Sequence, residues 1–306
     1  MTTVEITHNR FTWTNIIAPD ADDVERLRLA QPYIHPLNLE DLTSPLERPK
    51  IDEQDEYLFV VMHFPVWDAA HRLSRASEIE FIVGRNFLVT AHDGTLKALN
   101  QLFERCQQDA DERQKIMGRG ANDAFYVIVD VLVDYIFPIL RKVDGNIQAI
   151  EEDIFTSDAR QIIQDIAIAR RDIIALRRII RHQVPIVEQL EATEHPIMRE
   201  ELEEYFGDTV DHLHKARDII DENAEIITGL SDTANTLANH RINEVMRVLT
   251  VISVIMLPLT LVSGIYGMNF EVLPLDNHPF GFLVIIGLMV TLAVSMLIYF
   301  RRRHWL

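Results

Sequence analysis

Small, polar and bulky apolar side chains recur at steps of three and four residues in the last quarter of this 306-residue chain. The positions are Asn243, Met246, Leu249, Thr250, Ser253, Leu257, Thr260, Gly264, Gly267 and Met268. Residues at this spacing share one face of an α-helix. In a lone membrane span, such a face usually packs against another helix. The same face could instead line an ion pathway, because polar, apolar and polar sections follow one another along it.

On the ion-pathway interpretation, Asn243 forms a polar cytoplasmic mouth. Met246, Leu249 and Leu257 form an apolar constriction that gates by dewetting, and residues 260–269 form the external approach. Two helices cannot enclose a pore, so this interpretation requires a ring of subunits with the stripe facing its axis.

Two charge-free stretches are long enough to cross a bilayer. A hydrocarbon core of about 30 Å needs roughly 20 apolar residues, and we predict spans at 248–268 and 280–300. The external loop between them, 269–279, has no Lys or Arg, whereas Arg241 and Arg247 precede the first span and a basic tail, 301–306, follows the second. This asymmetry predicts that both termini lie in the cytoplasm.

Composition predicts a large acidic part outside the membrane. The chain has 29 Lys and Arg against 47 Asp and Glu; residues 241–306 hold five and three of these, so the first 240 residues carry a net charge of −20. That charge disfavours nucleic-acid binding and attracts divalent cations, although a solvated surface has the same sign. The N-terminus has no apolar core of signal-peptide length, so we expect these residues to stay inside the cell. Cys106, the only cysteine, excludes an intrachain disulfide.

The part before the spans divides into an α/β domain, 1–120, and a helical region, 121–196. Strands are predicted at 57–64, 79–83 and 87–91, with a hairpin turn at 84–86. Helices are expected to begin near Asp20 and His35, and another covers 95–108. Helical breaks are expected at Pro138, Pro185 and Pro196.

A long helix is predicted at 197–247, where no proline occurs and the chain would extend roughly 75 Å. Its apolar positions have a mean spacing of 3.5 residues. They are Leu202, Phe206, Val210, Leu213, Ala216, Ile220, Ala224, Ile227, Leu230, Ala234 and Leu237. Two interpretations fit this seam: a stalk packed along partner helices, or a helix buried against its own domain.

The segment Tyr266-Gly267-Met268-Asn269-Phe270, between the first span and the acidic loop, resembles the Gly-Met-Asn signature of CorA-type magnesium channels. Residues 243–250 and the terminus 299–306 resemble the same family's membrane region. Further similar segments stand at 35–41, 48–50 and 205–208, so the resemblance covers most of the chain. It implies an α/β N-terminal cytoplasmic domain, a long α-helical stalk and two C-terminal transmembrane helices, assembled as a funnel-shaped homopentamer in the cell inner membrane.

The resemblance also implies the ion and its selectivity filter. Gly267, Met268 and Asn269 would form an external ring whose amide oxygens hydrogen-bond the water shell of Mg²⁺, which sheds its waters reluctantly. Glu271 and Asp276 in the loop would concentrate cations at the mouth. Co²⁺ or Ni²⁺ could also pass. No enzymatic activity and no organic cofactor is implied, and the partners are further copies of the chain, membrane lipid and divalent cations.

Four acidic positions match two regulatory magnesium sites of the family. Asp41 and Asp208 would bind Mg²⁺ between adjacent subunits and close the channel, and Glu40 and Asp130 match a neighbouring second site. Without the resemblance, Asp41 reads as an ordinary helix acid and Asp208 as an exposed helical one.

The nearest alternative is a ZntB-like zinc transporter, although that branch generally has Gly-Val-Asn in place of Gly-Met-Asn. A membrane-anchored enzyme or signalling protein is a remote alternative, because the sequence has no phosphate-binding glycine loop, nucleophile elbow or HExxH motif.

His212 and His214 are two residues apart on a predicted helix and so face different sides, which argues against a zinc site. Residues 151–153 are expected to be a solvated acidic face.

Overall fold

The computed structural model describes residues 3–44, 46–268, 280–303 and 305. These fall into an N-terminal unit, Met1–Ser231, and a C-terminal unit, Asp232–Leu306.

A six-stranded sheet forms the centre of the N-terminal unit, in the order β1-β2-β6-β5-β4-β3. Its strands are β1 (Thr3–His8), β2 (Phe11–Ile17), β3 (Lys50–Gln54), β4 (Tyr57–Asp68), β5 (Leu73–Gly84) and β6 (Phe87–His92). Only β2 and β6 pair in parallel. The predicted strands and the hairpin between β5 and β6 are confirmed. Strands β1, β2 and β3 were not predicted, because polar and charged residues interrupt their apolar side chains.

The sheet is covered on both faces, because successive residues of a strand point to opposite sides. On one face, Tyr57, Phe59 and Val61 of β4 join a core with Leu27 and Leu39 from two short helices. These helices are α1 (Ala21–Ala30) and α2 (Pro36–Asp41). On the other face, Phe81 of β5 stacks edge-on against Phe125, with ring centroids 5.0 Å apart.

The predicted starts of α1 and α2 are confirmed by their caps. The Asp20 carboxylate accepts from the backbone N–H groups of Asp22 and Asp23. The His35 Nδ1 accepts from the N–H of Leu37, and the His35 N–H donates to the Tyr57 hydroxyl at 2.8 Å. These bonds attach α2, which ends at Asp41, to the start of β4.

Seven further helices follow β6 in the described part of the chain. They are α3 (Lys97–Gln108), α4 (Ala110–Met117), α5 (Ala121–Asp134), α6 (Ile136–Asp153), α7 (Ala159–Glu191), α8 (Leu202–Tyr266) and α9 (Gly281–Arg302). Pro138 lies in the first turn of α6, where its missing N–H costs little. The predicted break at Pro185 is wrong: α7 continues through it. Buried neighbours Val184 and Val187 hold that turn in place, and tertiary packing outweighs the proline penalty.

The first part of α8 belongs to the N-terminal unit, and its predicted seam is buried there. Phe206, Leu213 and Ala216 are fully buried, and Phe206 packs on Phe125 of α5 with ring centroids 5.9 Å apart. Arg177 of α7 pairs with Asp221 at 2.8 Å. Over this part of the chain, the seam therefore packs against its own domain.

In the C-terminal unit, α8 and α9 each contain a stretch apolar enough to span a membrane. Their 18-residue windows have mean hydropathies of 2.4 and 2.6, and only 6% of each window is buried. Core helices of soluble proteins with this composition would be covered, so these two helices have the character of membrane spans. The helix α8 passes through Pro258 and ends at Tyr266, and α9 runs from Gly281 to Arg302.

Candidate functional site

The predicted stripe of α8 is exposed along its whole described length. Asn243, Met246, Leu249, Thr250, Ser253, Leu257, Thr260 and Gly264 lie on the helix, and Gly267 and Met268 follow its end. Leu257 is the most open apolar member, with 72% of its surface exposed. Other faces of this helix are exposed as well, so exposure alone does not single out the stripe. The predicted filter residue Asn269 and the predicted loop acids Glu271 and Asp276 lie outside the described residues.

The hydroxyl groups of the stripe are held in one orientation by their own helix. Thr250 donates to the carbonyl of Met246 at 2.7 Å, and Ser253 donates to that of Leu249 at 2.9 Å. Thr260 donates to the carbonyl of Met256 at 2.9 Å. Each proton is used inside the helix, so each hydroxyl oxygen keeps its lone pairs for an outside donor. Such an oxygen can accept from a water molecule, including one bound to a cation.

A shallow groove follows the last turns of this face. It is lined by Ser253, Met256, Leu257, Thr260, Leu261, Gly264, Ile265 and Met268. Met256, Leu261 and Ile265 were not predicted as members. They lie next to the stripe on the surface of the helix, so a prediction that allowed a wider face would have included them. The surface combines apolar walls with the two hydroxyl oxygens of Ser253 and Thr260.

The two glycines of this region differ in their surroundings. A Cβ atom added at Gly264 would meet nothing within 4 Å, so packing inside the described chain does not require a glycine there. At Gly267, an added Cβ would lie 3.1 Å from the carbonyl oxygen of Ser263. Gly267 thus allows the turn that ends α8 to close tightly.

The first predicted regulatory acid, Asp41, already has a cationic partner. The Nζ atom of Lys50 lies 2.7 Å from Oδ2 of Asp41 and 3.2 Å from Oδ2 of Asp52. Burial opposes the charged form of Lys50, but hydrogen bonds to Asp41 and Asp52 outweigh it and raise the pKa of the ammonium group. Glu40 is exposed beside Asp41, and its backbone carbonyl accepts from the hydroxyls of Thr43 and Ser44.

Lys50 and Asp52 were not predicted as members of this cluster, although Lys50 lies in the segment 48–50 that resembles the family. The antiparallel pairing of β3 with β4 brings Lys50 back to α2, and no short-range pattern shows that contact.

The other predicted regulatory acids, Asp130 and Asp208, belong to one acidic patch where α5 packs against α8. Nδ1 of His212 lies 3.2 Å from Oδ1 of Asp134, and its Nε2 lies 4.0 Å from Oδ2 of Asp208. Burial, followed by the charge of Asp134, raises the pKa of Asp130. Burial and the charges of Asp130 and Asp208 raise the pKa of Tyr126 to about 12. The local potential is therefore negative and suited to a cation.

These acids do not form a metal site within one chain. Across the described residues, no three His, Cys, Asp or Glu side chains converge as they would around an ion. Asp208 is exposed, so it is free to contribute a ligand to a site completed by another molecule. The two histidines face different helices as predicted, since Nε2 of His214 lies 3.5 Å from Oε1 of Glu188 on α7.

This chain is similar to known proteins in sequence and in structure. Residues 8–302 match the family described as CorA-like Mg²⁺ transporter protein. A cobalt/magnesium transport protein CorA of Thermotoga maritima is 30% identical over 296 residues, which are 96% of this chain and 83% of the relative. The complete structure of the CorA magnesium transporter from Methanocaldococcus jannaschii has a TM-score of 0.87 at 22% identity, covering 98% of this chain and 94% of that one.

A second solved structure resembles the N-terminal part. The ZntB cytoplasmic domain from Vibrio parahaemolyticus has a TM-score of 0.61 at 11% identity, and the match covers 76% of this chain and 90% of that domain. At this identity the likeness shows the fold alone.

A large α/β domain, a long helix that ends in an apolar stretch and a second apolar helix define a membrane protein with two spans. The predicted α/β domain, long helix and two C-terminal apolar helices are confirmed, and the homopentamer stays a prediction. The family match over residues 8–302, together with 30% identity across nearly the whole chain, shows that this chain belongs to the CorA-like Mg²⁺ transporter family.

Proposed function

We propose that this protein is a channel through which hydrated Mg²⁺ enters the cell, with Co²⁺ and Ni²⁺ as further substrates. Membership of the CorA-like family supports transport of a divalent cation. The name of the Thermotoga maritima relative adds cobalt to magnesium. A divalent ion crossing 100 mV gains roughly 4.6 kcal/mol, twice the single-charge value, so inward flow needs no ATP.

The observation that carries this proposal is the groove on α8. The hydroxyl groups of Ser253 and Thr260 donate their protons to carbonyl groups of the same helix, so their oxygen atoms can still accept hydrogen bonds. These oxygen atoms lie beside apolar side chains on a membrane-spanning face. In a homopentamer, five such faces around one axis form a path wide enough for an ion that keeps its waters. The apolar residues Met246, Leu249 and Leu257 then form the gate.

The proposed selectivity filter lies at the external end of this path. Gly267, Met268 and Asn269 form the ring, and the Asn269 amide oxygen accepts from the waters of the ion. Selection is by the size and hydrogen-bonding pattern of the hydrated ion, because Mg²⁺ dehydrates reluctantly. Glu271 and Asp276 concentrate cations near the entrance.

The proposed regulation uses the acidic surfaces of the N-terminal unit. Asp41 of one subunit and Asp208 of the next bind Mg²⁺ and hold the closed state, with Glu40 and Asp130 as a second site. Carboxylate oxygens suit Mg²⁺, and the negative potential around Asp130 and Tyr126 favours a cation. At Asp41, the ion has to displace or share the carboxylate with the Lys50 ammonium group.

The proposed location is the cell inner membrane with both termini in the cytoplasm. The basic residues Arg301 and Arg302 in the last turn of α9 support this orientation. With this orientation, the acidic N-terminal unit samples cytoplasmic Mg²⁺.

Zinc transport is the second candidate function. The fold is shared with a ZntB cytoplasmic domain, so the fold by itself does not distinguish zinc from magnesium transport. Met268 argues against zinc, because that branch generally has valine there.

Flux into liposomes distinguishes these functions. Purified full-length protein is reconstituted in vesicles that contain a Mg²⁺-sensitive or a Zn²⁺-sensitive dye, with an inside-negative potential set by a potassium gradient and valinomycin. We expect Mg²⁺ entry that follows the imposed potential and is absent from protein-free vesicles. Zn²⁺ entry that depends on a proton gradient and ignores the potential would support the zinc transporter, and no cation flux at all would contradict both functions.

A further inference from the structure

A basic cleft lies in the N-terminal unit between α7 and the β3–β4–β5 side of the sheet, with a volume of about 1230 Å³. One wall is a single face of α7, formed by residues at helical spacing from Arg171 to Gln189. The opposite wall consists of the segment 46–51 and the first residues of β5. The cleft is as large as a small-molecule site, for which a few hundred to about 1000 Å³ is usual.

Three arginines in this cleft lack carboxylate partners. Arg48, Arg171 and Arg178 line it, and within the described residues none of them lies within ion-pair distance of an Asp or Glu. Their neighbours Arg75 and Lys50 do have such partners, Asp93 at 3.3 Å and Asp41 at 2.7 Å. Although the chain has a net charge of −18, these three unpaired guanidinium groups make the surface of the cleft locally positive. They point to an anionic ligand.

The spacing of these arginines suits an extended anion. Arg171 and Arg178 are two helical turns apart, so their backbones are separated by about 10 Å along α7. Arg48 stands on the opposite wall, and His182 follows one turn after Arg178. A single carboxylate or phosphate cannot reach all of these groups at once, whereas a chain of phosphates can. The guanidinium fork also matches phosphate oxygens in a bidentate geometry.

The cleft also offers apolar surface beside the charges. Ile174 lies between Arg171 and Arg178 on the same helix face, and 57% of its surface is exposed. Ala175, Ile179 and Leu73 extend this surface. An apolar floor next to phosphate-binding groups matches a ligand that has both a polyphosphate chain and a flat, weakly polar ring system.

We propose that this cleft binds a nucleoside di- or triphosphate. Arg48, Arg171 and Arg178 hold the phosphates, and the base lies against Ile174 and its apolar neighbours. Nothing in this binding depends on ion conduction, so the site can be tested separately from the proposed function.

Binding of ATP to the full-length protein in detergent tests the proposal, with EDTA present so that no metal bridges the phosphates to the acidic surfaces. Equilibrium dialysis gives the dissociation constant for the parent and for Arg171→Gln with Arg178→Gln. We expect saturable binding by the parent and a loss of about tenfold or more in the variant. The matched control, Arg170→Gln with Arg181→Gln, changes two exposed arginines of α7 that do not line the cleft, and it should bind like the parent.

Two further measurements separate the nucleotide from other occupants. ATP should raise the thermal unfolding temperature of the parent and of the control, but not of the cleft variant. Inorganic triphosphate should bind more weakly than ATP, and Ile174→Asn should reduce that preference. The proposal is overturned if the parent does not bind ATP saturably, if the control loses as much affinity as the cleft variant, or if triphosphate and ATP bind equally.

Discussion

Lys50 shows how one side chain can set the sensitivity of a proposed ion sensor. Its ammonium group lies 2.7 Å from Asp41 and occupies the carboxylate oxygen that an incoming Mg²⁺ would need. A tethered cation competes with a free one, so Lys50 should weaken Mg²⁺ binding at Asp41.

Replacing Lys50 therefore tests the regulatory proposal at the scale of one residue. Lys50→Met should lower the cytoplasmic Mg²⁺ concentration that half-closes the channel, by about threefold or more, because Asp41 loses its internal counter-ion. Patch recordings over a range of Mg²⁺ concentrations measure this shift. Lys115→Met is the control, since Lys115 pairs with Glu112 on α4, away from Asp41. An unchanged inhibition curve in Lys50→Met would argue that Mg²⁺ does not bind at Asp41.

Asn269 is tested in the same way at the proposed filter. Asn269→Ala removes the amide that accepts from the waters of the ion, so Mg²⁺ influx into liposomes should fall by tenfold or more while assembly persists. Asn277→Ala, in the same loop, is the matched control and should conduct normally. Selective Mg²⁺ influx at the parent rate in Asn269→Ala would remove Asn269 from the filter.

At the scale of elements, β5 carries a buried acid that makes stability depend on pH. Glu80 is 5% exposed in the middle of this strand. Burial, with the adjacent Glu78 carboxylate, raises the pKa of Glu80 well above its usual range. The folded chain keeps the proton at neutral pH while the unfolded chain releases it, so the free energy of unfolding falls as pH rises above about 4.5.

Glu80→Gln removes this pH dependence because the amide is neutral in both states and can still donate to Glu78. We expect the variant to be more thermostable than the parent, with a difference that grows between pH 7 and pH 8.5 by up to about 1.4 kcal/mol per pH unit. The window avoids His92, whose pKa burial lowers to about 4. Thermal unfolding of the detergent-solubilised protein measures the effect, with exposed Glu53→Gln on β3 as control. A difference that is constant with pH would mean that Glu80 is ionised in the folded state.

At the scale of the whole molecule, five weak sites can control an assembly that one site cannot. At a free Mg²⁺ concentration ten times the dissociation constant, a site that binds only the closed state contributes about 1.4 kcal/mol, so five contribute about 7. Moving a two-state population from 1:99 to 99:1 needs about 5.5 kcal/mol. A homopentamer with one Asp41–Asp208 site at each subunit interface thus has enough binding energy for a complete switch.

The double variant Asp41→Asn with Asp208→Asn tests whether Mg²⁺ bound at these aspartates closes the channel. It removes ligands with little change in shape, so the channel should keep conducting at cytoplasmic Mg²⁺ levels that close the parent. Glu151→Gln with Asp153→Asn, two exposed acids of α6, makes the same charge change elsewhere and should close normally. If the Asp41 and Asp208 variant closes at the parent's Mg²⁺ concentration, these aspartates are not the sensor.

Two apolar helices long enough to span a membrane, the helix caps at Asp20 and His35, and the family could all be predicted from the amino-acid sequence. Each of these depends on residues close together in the chain: a run of apolar side chains, a capping side chain two or three residues from its partner, or a short signature. The strands with continuous apolar runs were predictable for the same reason, whereas β1, β2 and β3, whose apolar residues are separated by polar ones, were not. The continuation of α7 through Pro185 was also not predicted, because it depends on packing against residues that are far away in the chain.

Which charged side chains contact one another depends on the folded arrangement of the chain. Lys50 reaches Asp41 because β3 pairs back on β4, and Asp130 joins Asp208 and His212 because α5 packs against α8. The basic cleft depends on α7 passing beside the segment 46–51, more than 100 residues away in sequence. Electrostatic interactions depend on distance in space, and residues far apart in the chain carry no local pattern that records such contacts.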